Sequence, residues 1–187
     1  DLLNIIECGN EVDHWFSGFD NPKYMQPEEH AAMLSLCYDS IKQADPTMKV
    51  AMAGITDLNL WYLKRMNDWF VKNRPDKKFA ADFINLHHYS NLGNRPGTDK
   101  PIWVNSGACM PSEDKAFPQI VEIVQWAKSL GKECIVTEFG ADTKAPSMMH
   151  INGSRYGVSD EQAQSTLILK TLDAYEAAGV IAAYIFT

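Results

Sequence analysis

The chain has 187 residues, 45% hydrophobic, 22% charged and 11% aromatic, which is long enough and apolar enough for one sizeable core. Its formal net charge is −7 and its basic residues form no blocks, which argues against nucleic acid or an anionic membrane surface as partner. No apolar run approaches the length of a membrane span.

Strand and helix patterns alternate along the chain. The first strand is read over residues 3–9, followed by a polar, aromatic loop that contains Trp15 and Tyr24. Pro27-Glu28-Glu29 then opens a helix, with proline and acids in the first turn, and Ala44-Asp45-Pro46 stops it. A second strand spans 49–55 and a second helix 58–73, closed by Arg74-Pro75. The third strand, 83–89, leads into a long loop, 90–111. A third helix is expected from Ser112 to about Leu130, with Ile120, Ile123, Val124 and Ala127 on its apolar face and Gly131 as its stop. The fourth strand, 132–140, is followed by a second long loop, 141–158. Ser159-Asp160-Glu161-Gln162 resembles a capping box that opens a fourth helix, and Gly179 precedes a fifth strand over 180–187. Trp61, Trp69 and Trp126 fall in helices and are expected in the core.

The order β-α-β-α-β-α-β-α-β gives a parallel sheet with helices outside. It suits an open doubly wound sheet or part of a (β/α)8 barrel. Long aromatic loops follow the strands and short ones precede them. Acids and histidines sit at the C-terminal ends of several strands, as a barrel active site requires. The expectation is therefore one domain, residues 1–187: a C-terminal fragment of a TIM barrel with five of its eight strands. Cys8, Cys37, Cys109 and Cys134 are far apart, without metal-ligand or disulfide-framework spacing, and Cys8 and Cys134 read as small core residues.

Two strands end in a glutamate. Asn4-Ile5-Ile6-Glu7-Cys8 runs into Gly9-Asn10-Glu11, and Lys132-Glu133-Cys134-Ile135-Val136-Thr137 runs into Glu138-Phe139-Gly140. An acid where a buried strand opens is costly unless it is paired or used. Between them, two strands after Glu11, stands His87-His88-Tyr89.

These residues resemble the clan A retaining glycoside hydrolases, in their β-xylosidase-like and agarase-like branches. In that clan the acid/base glutamate follows an Asn at the end of strand four, and the nucleophile ends strand seven. With Gly9-Asn10-Glu11 as strand four, the strand of Glu138 counts as seven, and the segment 44–50 is also similar to the clan. The resemblance covers essentially the whole chain. It implies Glu11 as acid/base, Glu138 as nucleophile, Asn10 on the sugar 2-hydroxyl, and His87 and Tyr89 as the His-x-Tyr of strand six. It further implies a plant or algal oligo- or polysaccharide as substrate, no cofactor or metal, and a secreted or periplasmic location in a bacterium. The clan's strand-two arginine has no counterpart in these strands. At the end of strand eight, where the clan often carries Trp, stand Tyr184, Phe186 and Thr187.

The residues fit that chemistry. Retaining cleavage needs one carboxyl that gives a proton and one that attacks. Alternation puts His87 and Tyr89 on one strand face, with His88 toward the helices or the rim. Tyr89 then donates to Glu138, and His87 orients an acid or a sugar hydroxyl. Trp15, Trp103 and Tyr156 are candidate sugar-stacking groups that serve equally well to pin their loops. Glu7 reads as a structural ion-pair partner. A carbohydrate-binding barrel without activity, and a metal-dependent hydrolase using His87 and His88, are the alternatives.

Overall fold

The structure, a computed structural model, describes residues 4–13, 24–93, 107–147 and 149–186. It holds five parallel strands, β1 (Ile5–Cys8), β2 (Lys49–Met52), β3 (Phe83–His87), β4 (Glu133–Phe139) and β5 (Ala182–Ile185). The helices between them are α1 (Pro27–Ala44), α2 (Leu60–Asn73), α3 (Phe117–Ser129) and α4 (Asp160–Ala178). Each strand pairs with the next in sequence, in the order β1-β2-β3-β4-β5. A doubly wound sheet reverses its order at a switch point; this one does not, and the five strands are consecutive staves of a partial (β/α)8 barrel.

Two apolar layers fix the side-chain directions. Outside, Val50, Met52, Ile84, Leu86, Cys134 and Val136 pack under Leu34, Leu63, Phe70, Ile123 and Tyr175 of the helices. Each large side chain fully buried there contributes roughly 1.5–3 kcal/mol. Inside, Ile5, Ala51, Phe83, Ile135 and Ala182 contribute one residue per strand to a small apolar layer. Along the strands the same face continues with Glu7, Asn85, His87 and Thr137 toward the C-terminal ends.

The strands fall within the expected ranges but are shorter, and two helix starts and one tryptophan differ from expectation. Ser112-Glu113-Asp114 does not open α3. Pro111–Glu113 is a single 3₁₀ turn, because the Asp114 carboxylate accepts from the Ala116 amide at 2.9 Å and from the His88 ring at 2.7 Å. α2 starts at Leu60 because Asn59 caps it, its side chain accepting from the Trp61 amide. Trp61 is not a core residue. It is 53% exposed, opposite the buried Tyr62-Leu63-Met66-Phe70 face, with the Arg65 guanidinium 4.7 Å over its ring. Trp69 and Trp126 do pack against the core, and all four cysteines are unpaired thiols. No helix among the described residues is long and apolar enough to cross a membrane.

Just past the end of β3, His88 joins strand to helices. Its Nε2 lies 2.7 Å from the Asp114 carboxylate and its Nδ1 2.8 Å from the Tyr175 hydroxyl. Asp114→Ala leaves the His88 ring and the Ala116 amide without that acceptor in a buried setting. The expected cost is about 2–4 kcal/mol, read as a lower urea midpoint with unchanged slope in the full-length protein.

Candidate active site

The C-terminal ends of β1, β3 and β4 converge on the ring of His87. Beyond Cys8 the chain turns sharply, with Gly9 at φ +102° and Glu11 at φ +47°. A left-handed backbone at a glutamate is uncommon. It is fixed here by the Glu11 amide, which donates to the Gly54 carbonyl at 3.1 Å. The buried Asp13 carboxylate adds a second tie, accepting from the Thr56 and Asp57 amides at 3.0–3.1 Å. The two ties bring the loop after β1 onto the loop after β2 and aim Glu11 inward.

His87 reaches the same place from β3 because its ring lies directly on Gly54. A Cβ built at Gly54 would stand 2.1 Å from the ring. Glycine is required there for close approach.

β4 carries an irregularity that simple alternation does not anticipate. Leu86 pairs with Val136 but His87 pairs with Glu138, and on the other side Val136 pairs with Ala183 but Phe139 with Ile185. β4 thus holds one extra residue relative to both neighbours, a bulge. As a result Thr137 and Glu138 both reach the interior partners of β3, while Phe139 returns to the helix-side core beside Tyr175.

The contacts are short. His87 Nδ1 lies 3.1 Å from Glu11 Oε1 and 3.6 Å from Glu138 Oε2. Tyr89 donates to Glu138 Oε2 at 3.0 Å. His87 Nε2 lies 2.9 Å from Thr137 Oγ1 and 3.5 Å from Glu7 Oε1. Burial of the ring, which is 1% exposed, opposes its charge; hydrogen bonds to Glu11 and Glu7 and the charges of Glu138 and Glu7 outweigh that and raise its pKa to about 9. A folded value above the unfolded 6.5 means that the proton stabilises the fold. That contribution is full below about 6.5 and fades as pH rises through about 9. Glu7 shows the reverse balance. Burial pushes its carboxyl up, and hydrogen bonds from His87, the Gly54 amide and Thr137 bring it below its ordinary value. Burial and the bond to Glu138 raise Tyr89, which keeps it a donor.

Asn10, Glu11, Tyr89 and Glu138 line one cavity of about 420 Å³. Asp142, Met149 and Phe186 line it as well. Phe186 is 60% exposed, with its amide donating to the Phe139 carbonyl at 2.8 Å, so an aromatic does stand at the end of β5 beside the candidate carboxyls. Asp142 and Met149 lie in a loop whose path carries no sequence signal. Tyr156 is not brought to this cavity; its hydroxyl donates to Glu113 at 2.7 Å and its ring packs beside Ile151 and Leu167, pinning the loop. Trp15 and Trp103 lie outside the described residues.

The histidine pair of a metal centre does not form, since His87 faces the interior and His88 the helices. Glu11, His87 and Glu138 do bring one ligand-type atom each within 4.8 Å of one another. Both ring nitrogens of His87, however, are engaged by Glu11 and Thr137, so a cation there would have to displace one of these bonds.

No protein-family model matches the chain, and no curated protein sequence does. Solved structures do. A xyloglucanase of glycoside hydrolase family 44 from Paenibacillus polymyxa superposes with a TM-score of 0.63 at 12% identity, over 98% of this chain and 42% of that one. A glucosidase from Croceicoccus marinus gives 0.62 at 13% identity, over 96% of this chain and 32% of that one. Fungal β-1,4-galactanases give 0.61 at 16% identity, over 97% and 51%. The chain thus spans about a third to a half of the length of these structures. At such identities the likeness is one of fold: the chain has the fold of a five-strand part of the barrel carried by these glycoside hydrolases.

Proposed function

We propose that residues 1–187 are part of the catalytic barrel of a retaining glycoside hydrolase, with Glu138 as nucleophile and Glu11 as acid/base. The observation that carries this reading is the approach of the two carboxyls. An oxygen of Glu11 and an oxygen of Glu138 lie within 4.8 Å of one another, at strand ends, across a shared histidine. Carboxyls about 5–5.5 Å apart suit double displacement, whereas inversion needs about 6.5–9.5 Å to admit a water.

In the first step Glu138 attacks the anomeric carbon, the glycosidic C–O bond breaks, and the Glu11 proton goes to the leaving oxygen. Tyr89 and His87 hold Oε2 of the nucleophile, so Oε1 makes the new bond. His87 binds Glu11 through Oε1, and a proton on Oε2 is compatible with that contact. In the second step Glu11 takes a proton from water, the water oxygen attacks the same carbon, and the bond to Glu138 breaks. Two displacements return the original configuration. Asn10 lies at the cavity rim to bind the sugar 2-hydroxyl, and Phe186 offers a ring face for it to stack on.

The neighbours named for xyloglucan and β-1,4-galactan support a polysaccharide or oligosaccharide of plant or algal origin as substrate. A polymer that cannot cross a membrane must be met outside it, which favours secretion or a periplasmic location. The approach of two strand-end carboxyls across a shared histidine favours the catalytic reading over a barrel that only binds sugar.

In the full-length protein, Glu138→Ala should lose activity on every glycoside, and azide should restore turnover with an inverted product. Glu11→Ala should keep the first step on activated aryl glycosides, accumulate the intermediate and be accelerated by azide. Wild-type product followed by proton NMR should appear first as the retained anomer. Gly54→Ala should drive the His87 ring off its site and lower kcat/KM by roughly a hundredfold, with circular dichroism confirming that the fold persists.

A further inference from the structure

Glu7 has no place in the mechanism above, yet its carboxylate is anchored to backbone and ring. It projects inward from β1, one position before the helix-facing Cys8. Oε1 accepts from the Gly54 amide at 2.9 Å and lies 3.5 Å from His87 Nε2. Glu7 is not among the residues that line the cavity, and neither is His87.

We infer that Glu7 is a positioning residue, whose anchored carboxylate fixes the His87 ring between Glu11 and Glu138. The geometry gives each partner one task. Gly54 supplies both the space for the ring and the amide that orients Glu7. Thr137 and Asn85 brace the Nε2 side of the ring from β4 and β3, through contacts of 2.9 Å and 2.7 Å. Among the described residues, the titratable groups facing His87 are Glu7 and Glu11 from β1 and its loop, Glu138 from β4, and Tyr89, which faces Glu138, from β3. Glu11 and Glu138 both change charge or bonding during the proposed reaction. Glu7 is the one facing carboxylate that does not, so it supplies a constant negative charge that keeps the ring protonated while the other two exchange protons and bonds. This catalytic consequence rests on the glycosidase reading; the Glu7–His87 contact does not.

The test is Glu7→Gln in the full-length protein, which keeps the acceptor for the Gly54 amide and removes the charge. Nitrogen-edited NMR titration should show the His87 midpoint falling by a pH unit or more, a tenfold or greater loss in proton affinity. An unchanged His87 midpoint would overturn the inference. In the unsubstituted protein the Glu7 carboxyl carbon should show a second inflection at the His87 midpoint, and a flat response there would also overturn it. Should the protein cleave no glycoside, the proposed function fails, while both NMR measurements still decide the role of Glu7.

Discussion

The site depends on one charge balance: a single buried imidazole that faces three carboxylates. Like-charged acids brought this close repel each other, and each pays for leaving water. The His87 ring offsets this by presenting Nδ1 to Glu11 and Glu138 and Nε2 toward Glu7. Much of the local backbone follows from seating that ring. Position 54 must lack a side chain, Glu11 must adopt a left-handed turn, and β4 must carry an extra residue so that Glu138 reaches Nδ1.

Beneath the ring lies a graded interior. The lowest layer, Ile5, Ala51, Phe83, Ile135 and Ala182, is apolar and small. Above it Glu7, Asn85 and Thr137 form a polar layer. The Asn85 side chain donates to the Met52 carbonyl and to Thr137 Oγ1, and accepts from the Thr137 amide. Buried polar groups are tolerable when each has a partner, and a satisfied network also fixes rotamers. The charged layer of Glu11, His87, Tyr89 and Glu138 therefore rests on side chains that are themselves locked. Such support distinguishes a preorganised site from a set of acids that happen to be near each other.

Much of this was legible in the sequence. The alternation of apolar runs with periodic helical stretches gave the parallel order, and Ser159 and Gly179 bound α4 as their chemistry requires. The two strand-end glutamates and the inward pair His87 and Tyr89 could be found because a regular strand turns every second side chain the same way. The failures have the same origin. A bulge adds a residue without any compositional mark, so the joint inward placement of Thr137 and Glu138 was invisible. Glu7 was read correctly as an ion-pair partner, but its partner is a distant histidine that no local pattern names. The need for glycine at 54 exists only because a ring from another strand lands there. Trp61 was misplaced because a large aromatic in a helix is usually inward, whereas here the apolar stripe runs along the opposite side.

The neighbouring histidines of β3 give the strand a mechanical character. His87 is engaged inside with the carboxylates, and His88 outside with Asp114 and Tyr175. One peptide unit therefore joins the ring shared by the two acids to the body of α4. A strand with a free outer face could tilt or slide by a fraction of an ångström at little cost; this one is bolted from both sides at the same point. The helix α4 and the ring shared by the two acids are thus held by consecutive residues of one strand end.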